Sequence, residues 1–157
     1  MFEFAPTGSR RSWLYVTSGH SNPWEQAPAD YDPEGESGKG VEFTLATTEP
    51  GEWAVTALQS MLAFELLLWA GRFPGREYIG VGDRIPLNGQ AQCALRNLVM
   101  TEAEGIASEF QLPSVKVILT GFTAVTDAEF NEANQQGSSA LIDRLRGAGL
   151  VASTEVV

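Results

Sequence analysis

The sequence predicts a single α+β domain over residues 1–157, a mixed β-sheet flanked by helices. Three patterns carry that prediction. Several short segments rich in β-branched and aromatic residues alternate with period two, as half-buried strands do. One long apolar segment between them has the length of a helix, and the C-terminal third holds two shorter helix patterns with capping signals. With 157 residues, 43% hydrophobic and 19% charged, the chain has enough apolar surface to offset the entropy of ordering one core.

The elements follow in order. Met1 to Arg11 is mixed and lacks the apolar stretch of an export signal. Trp13 to Thr17 reads as a strand, and Ser18 to Pro23 as a sharp turn. From Pro23 to Gly40 the chain carries three prolines, three glycines, five acids and one base, Lys39, which marks an exposed loop. Val41, Phe43 and Leu45 alternate with Glu42, Thr44 and Ala46, placing one face of a second strand in the core. A long helix is expected between Thr48 and Gly71, with Pro50 in its first turn and Gly71 as its C-terminal cap. Its second half, Met61 to Ala70, is apolar all round except for Glu65, so it should be covered on most sides.

Gly71 to Gly89 is turn-rich, with at most a short strand at Tyr78 to Val81. Leu95 to Met100 and Val115 to Phe122 read as two further strands, both largely buried. Thr126-Asp127-Ala128-Glu129 has capping-box spacing, so a helix starts there. It should break at Gly137, and a second helix, Ser138 to Arg146, should stop at Gly147 with Arg144 and Arg146 near its negative dipole end. The tail, Leu150 to Val157, has the composition of an edge strand.

Composition narrows the function classes. Twenty acids against ten bases give a net charge of −10, which repels phosphate backbones and anionic headgroups and attracts a basic partner. Neither nucleic acid nor membrane is expected as a partner. No apolar run approaches the roughly 20 residues of a membrane-spanning helix. Cys93 stands alone, so no internal disulfide can form, and the cytoplasm is the expected compartment.

Catalytic and metal motifs are scarce. A zinc site needs about four His and Cys ligands, or three plus water; this chain has His20 and Cys93. No Gly-x-Ser-x-Gly elbow accompanies His20, which is expected in a turn or at the surface. Asp30-Tyr31-Asp32-Pro33-Glu34-Gly35-Glu36 begins like a calcium loop, but its twelfth position is Val41. In Gly35-Glu36-Ser37-Gly38-Lys39-Gly40, Pro33 and Gly40 replace the first glycine and the hydroxyl residue of a phosphate loop. Gly80-Val81-Gly82 lacks the third glycine of a dinucleotide fingerprint, with Ile85 in its place. Glu65 is the acid with an unusual setting. On an apolar helix its carboxylate must be paired, reach solvent or titrate, and pairing with Arg72, Arg76 or another base is the expectation.

Exposed aromatics are the remaining signal, since binding surfaces favour Trp and Tyr. Trp24 and Tyr31 sit in the acidic loop, where no core periodicity claims them, although either could fold back over the core. With Glu25, Asp30, Asp32, Glu34 and Glu36 they form the expected partner-binding surface.

Tyr15-Val16-Thr17-Ser18-Gly19-His20-Ser21, the Val41-to-Leu45 strand leading into the helix around Trp53, Ile85-Pro86-Leu87-Asn88, and the strand-to-helix run Val117 to Phe130 are similar, in that order, to the suppressor-of-fused domain. The resemblance runs from about Trp13 to about Leu150. His20 departs from the apolar residue usual between that Gly and Ser. The resemblance implies a mixed sheet flanked by helices, with no enzymatic activity and no cofactor. In animals the family sequesters a zinc-finger transcription factor of the Hedgehog pathway through a second domain, for which this chain leaves no room. Short bacterial members resemble immunity proteins, which bind and neutralise a toxin domain, often a nuclease or deaminase. The expected function is therefore an immunity protein against a cognate toxin with a basic surface. A regulatory adaptor that binds an endogenous protein is the alternative, and an enzyme built on carboxylates comes third.

Overall fold

The computed structural model describes residues 1–23, 27–32, 34, 40–87 and 95–149. Seven strands form one mixed sheet: β1 (Phe2–Phe4), β2 (Trp13–Val16), β3 (Val41–Thr47), β4 (Arg84–Pro86), β5 (Leu95–Glu102), β6 (Glu109–Gln111) and β7 (Lys116–Thr126). Their order across the sheet is β1-β2-β3-β7-β5-β4, with β6 pairing beside the start of β7. β3 and β7 run parallel, with Val41 opposite Ile118 and Leu45 opposite Phe122; the other pairs are antiparallel. Among the described residues three α-helices complete the fold: α1 (Glu52–Trp69), α2 (Asp127–Gln136) and α3 (Ser138–Gly147).

The parallel pair follows from chain order. β3 leads into α1, which returns across one face of the sheet. Beneath it Tyr15, Phe43, Leu45, Leu98, Met100, Phe122 and Ala124 pack on Ala54, Ala57, Leu58 and Met61. The opposite face of β5 and β7 offers Val99 and Val125, covered by Ala133 of α2 and Leu141, Ile142 and Leu145 of α3. Covered from both sides and flanked by β2 and β7, β3 buries Glu42 and Thr44 as well as Phe43 and Leu45. The alternation read from sequence exposes one face; the interior position of the strand overrides it.

α1 spans fewer residues than expected. Its N-cap is Gly51, whose N–H donates to the buried Tyr15 hydroxyl at 3.0 Å, so the helix start is fastened to β2. Pro50 therefore lies just outside the helix. At the other end Gly71, at φ +70, takes the left-handed conformation, and its N–H and that of Arg72 reach back to the carbonyls of Leu68 and Leu67. This is the Schellman closure that the glycine position suggested.

The expectation that the second half of α1 is covered on most sides is not met. One stripe is buried, Ala54, Ala57, Leu58, Met61, Glu65 and Leu68, because a single sheet face offers a helix a single contact surface. Leu67 and Trp69 stay exposed, and the half-buried Phe64 stacks on exposed Phe73 with ring centroids 5.5 Å apart.

At Thr126 the capping box is complete: the Thr126 hydroxyl accepts from the Glu129 N–H while the Glu129 carboxylate accepts from the Thr126 N–H. Gly137, at φ +89, separates α2 from α3 as expected. Arg144 forks onto Glu132 across the helix pair, and Arg146 binds Glu104 at 2.6 Å.

One allowance for a short strand fails, and two strands form where none was expected. Tyr78 to Val81 is not a strand; β4 lies at Arg84–Pro86, where backbone pairing with β5 decides. β1 and β6 are not legible in the sequence because each is only three residues long, too short for its alternation of apolar and polar residues to stand out, and all of those residues are exposed. The tail Leu150 to Val157 and Asn88 lie outside the described residues. Among the described residues, no helix is long and apolar enough to cross a membrane.

Gly121 gives a direct test of the packing between β5 and β7. A Cβ there would stand 3.1 Å from the Glu102 carbonyl oxygen and 3.2 Å from the Thr101 hydroxyl, and main chain cannot yield cheaply. Gly121→Ala is expected to cost about 1–3 kcal/mol in urea unfolding. Gly8→Ala, with nothing within 4 Å, should change stability by less than about 0.5 kcal/mol.

Candidate partner-binding site

The turn after β2 is organised around Glu42 of β3. This carboxylate, 2% exposed, accepts hydrogen bonds from the Thr17 hydroxyl, the Gly19 and Ser21 N–H groups at 2.9 Å each, and the Ser21 hydroxyl at 2.6 Å. The Thr17 hydroxyl in turn accepts from the Phe43 N–H at 2.8 Å. Burial pushes the Glu42 carboxyl up, but the hydrogen bonds from Ser21, Thr17 and Gly19 outweigh it and hold the group below the ordinary value of 4.5. The segment Thr17 to Ser21 is thus a set of donors wrapped around one buried anion.

That wrapping carries His20 inward. His20 lies in the turn, one of its two expected places, but buried and not at the surface: it is 1% exposed, edge-on to Phe43 with ring centroids 5.1 Å apart. Gly19 brings the turn against Leu62 of α1, where a Cβ would already be in van der Waals contact at 3.5 Å.

Beyond the turn, on the α1 side of the sheet, lies a cleft of about 550 Å³, within the usual range for binding sites. Val41, Phe43, Met100 and Thr120 form its sheet wall; Glu65 and Trp69 come from α1; Tyr78, Ile79, Gly80 and Val81 close the remaining side, and His20 adds to the lining. It sits at the N-terminal ends of β3 and β7, beside the last turn of α1. Its rim is apolar and aromatic: Trp69, Tyr78 and Val81 are 46%, 53% and 58% exposed.

Glu65, buried at 3% exposure, accepts the Ile79 N–H at 2.5 Å. This main-chain donor lies 14 residues away, so no side-chain pattern on the helix could announce it. The same wall is fastened at its far end. Asp83 accepts the Gly80 N–H, while the Ser138 hydroxyl at the start of α3 donates to the Gly82 carbonyl and accepts from Arg84. The 78–84 segment is therefore a tethered wall that keeps the cleft open.

Gly40, whose carbonyl accepts the Ile118 N–H at 2.7 Å, delivers the chain to Val41 in the cleft lining. Asp30 ends a short 3-10 turn and is exposed, Tyr31 is half-buried, and exposed Asp32 accepts the Glu34 N–H at 3.0 Å. Exposed Glu34 lies near Lys116, whose ammonium is held above its usual range by hydrogen bonding and charge from Glu109, with a smaller push from Glu34. Trp24, Glu25 and Glu36 lie outside the described residues, as does most of the phosphate-loop-like stretch 35–39. Among the described residues, no group of three His, Cys, Asp or Glu could hold a metal ion.

Of the expected surface, then, Asp30, Tyr31, Asp32 and Glu34 have a place in the structure. The cleft itself was missed in the sequence, because its aromatic rim comes from a residue read as covered helix, Trp69, and from a turn-rich segment allowed at most a short strand, Tyr78 to Val81.

An α+β domain with a tethered, aromatic-rimmed cleft has the form of a binding module. The family model described as suppressor of fused protein (SUFU) matches residues 1–155, and the chain belongs to that family. Solved structures agree in fold. Similar ones include the Sufu–Fu complex (18% identity, TM-score 0.68, 99% of this chain and 74% of that one). Suppressor of Fused from Drosophila matches at 18% identity and TM-score 0.66, over 99% of this chain but only 41% of the Drosophila one. A SUFU homologue from Neisseria gonorrhoeae FA 1090 matches at 15% identity and TM-score 0.65, over 99% and 73%. Among curated proteins none matches by sequence. Family membership points to a protein-binding domain.

Glu42 makes the site's stability depend on pH in a defined direction. Its folded pKa is depressed, so between the folded value and 4.5 the unfolded chain binds more protons and stability rises with pH. The contribution is complete above about 4.5 and is lost as pH falls through the folded value. Glu42→Gln is expected to cost about 2–4 kcal/mol at pH 7, as removal of a charged partner from several buried donors does. It should also flatten the acid limb of stability measured by urea unfolding from pH 3 to 6.

Proposed function

We propose that this chain is a non-enzymatic, cytoplasmic protein-binding domain of the immunity type, which neutralises a cognate bacterial toxin by occluding a basic surface. The observation that carries the reading is the cleft, where a buried carboxylate, Glu65, lies among exposed aromatics in a chain of net charge −10. A basic side chain of the partner fits such a place: its aliphatic stem packs on Trp69 and Tyr78, and its cation faces Glu65. The exposed acids Asp30, Asp32 and Glu34 would steer a basic partner toward this domain. A toxin acting on nucleic acid, of nuclease or deaminase type, carries a surface of this sign.

A regulatory adaptor is the second reading, favoured by one observation: a similar solved structure is a complex, Sufu with Fu. Co-expression separates the two. The immunity reading expects survival of cells making the toxin encoded beside this chain, and co-purification of the pair. No protection, together with recovery of a housekeeping partner from native cells, moves the function to the adaptor.

With the partner in hand, Trp69→Ala should weaken binding by about 2 kcal/mol, the scale of an aromatic anchor, while circular dichroism stays unchanged. Charge reversal of Asp30, Asp32 and Glu34 to Lys should slow association by tenfold or more at low salt, an effect that fades above about 0.5 M salt. Unchanged binding in both variants would place the interface elsewhere.

A further inference from the structure

The sheet ends at β1, whose outer edge pairs with no other strand among the described residues. Sheets of natural proteins guard such edges with lysines, prolines, bulges or a covering element, since unpaired N–H and C=O groups recruit another strand. β1 has two other defences, its three-residue length and the charge of Glu3 at its centre. Within it there is no lysine, proline or bulge, and Phe2 and Phe4 are 57% and 46% exposed on one face with ring centroids 6.3 Å apart. Their register opposite Val16 and Leu14 puts them on the sheet face away from α1, so this surface is separate from the cleft. Arg10 holds the end of the strand through the carbonyls of Phe4 and Ala5, which keeps the edge extended and presentable.

We infer that β1 accepts an extended strand of a partner protein whose central basic residue lies opposite Glu3 and whose flanking apolar residues cover Phe2 and Phe4. The occupant follows from charge. A second copy, paired antiparallel about a two-fold axis to use all three residues, would set Glu3 against Glu3, and directly opposed like charges destabilise a cross-strand pair. Two chains of net charge −10 also repel at longer range. A strand with Arg or Lys at its centre turns the same position into an attraction, while its neighbours bury the two phenylalanines. Three residues supply few ladder bonds, so the addition is weak by itself and acts as an auxiliary contact of a larger complex.

The probe is a pair of capped peptides, Ser-Val-Arg-Val-Ser and Ser-Val-Glu-Val-Ser, titrated to millimolar concentration against the 15N-labelled full chain. The Arg peptide should shift the amide resonances of residues 2–4 and 14–16, with the Glu peptide at least tenfold weaker. Glu3→Lys should reverse that preference, and Phe2→Ser/Phe4→Ser should reduce binding of the Arg peptide several-fold; both variants change exposed residues and leave the core intact. Glu65→Gln, in the cleft, should leave the titration unchanged, which separates this surface from the proposed cleft function. Equal binding of the two peptides, shifts confined to the cleft, or a concentration-dependent dimer in sedimentation that Glu3→Pro abolishes would each overturn the inference.

Discussion

A carboxylate taken out of water is costly unless hydrogen bonds replace its hydration. Glu42 meets that condition with donors drawn from a turn that lies 21 to 25 residues earlier in the chain. Much of the molecule hangs on this arrangement. It fixes the path from β2 around the end of the sheet, ties that path to β3, and through the Thr17 hydroxyl joins the turn to the backbone of Phe43. Because the donors converge on one anion, the turn cannot relax independently, and its side chains take fixed positions. His20 is among them: it is driven against Phe43 and into the cleft lining.

A second carboxylate repeats the device on the opposite wall. Glu65 reaches from the buried stripe of α1 to the Ile79 N–H, holding an irregular segment that has no strand pairing of its own at that point. Asp83 and Ser138 fasten the same segment further along. Ser138 begins α3, which packs on the other face of the sheet, so the cleft wall is connected to both layers of helices. The open space is thereby framed by fixed elements, with its adaptable part confined to the exposed rings of Trp69 and Tyr78. Such preorganisation lowers the entropy lost on binding.

In the proposed function, charge and apolar surface divide the work of recognition. The exposed acids Asp30, Asp32 and Glu34 would act at a distance and set the sign of the partner, whereas the aromatic rim would act on contact and set the strength. Gly40 leads the chain into Val41 of the cleft lining, and Glu34 lies within electrostatic reach of Lys116 at the start of β7. On the far side of the sheet, the exposed phenylalanines of β1 are a surface of a different kind, proposed to act through main-chain pairing.

The sequence by itself determined what local chemistry decides. Thr126 and Glu129 mark the start of α2 because a capping box needs only three residues' separation. Gly71 and Gly137 end their helices because both adopt positive φ, and β2, β3, β5 and β7 announce themselves by apolar and β-branched composition. The acidity of the loop from Glu25 to Glu36 is likewise a fact of composition. Only the tertiary structure decided the rest. β1 and β6 are strands because they pair, with no buried face to imprint a pattern. Trp69 is bare because one sheet face cannot cover every side of α1. Glu42, Glu65 and His20 take their roles from groups distant in sequence, since a buried polar side chain must find its partners wherever the fold supplies them.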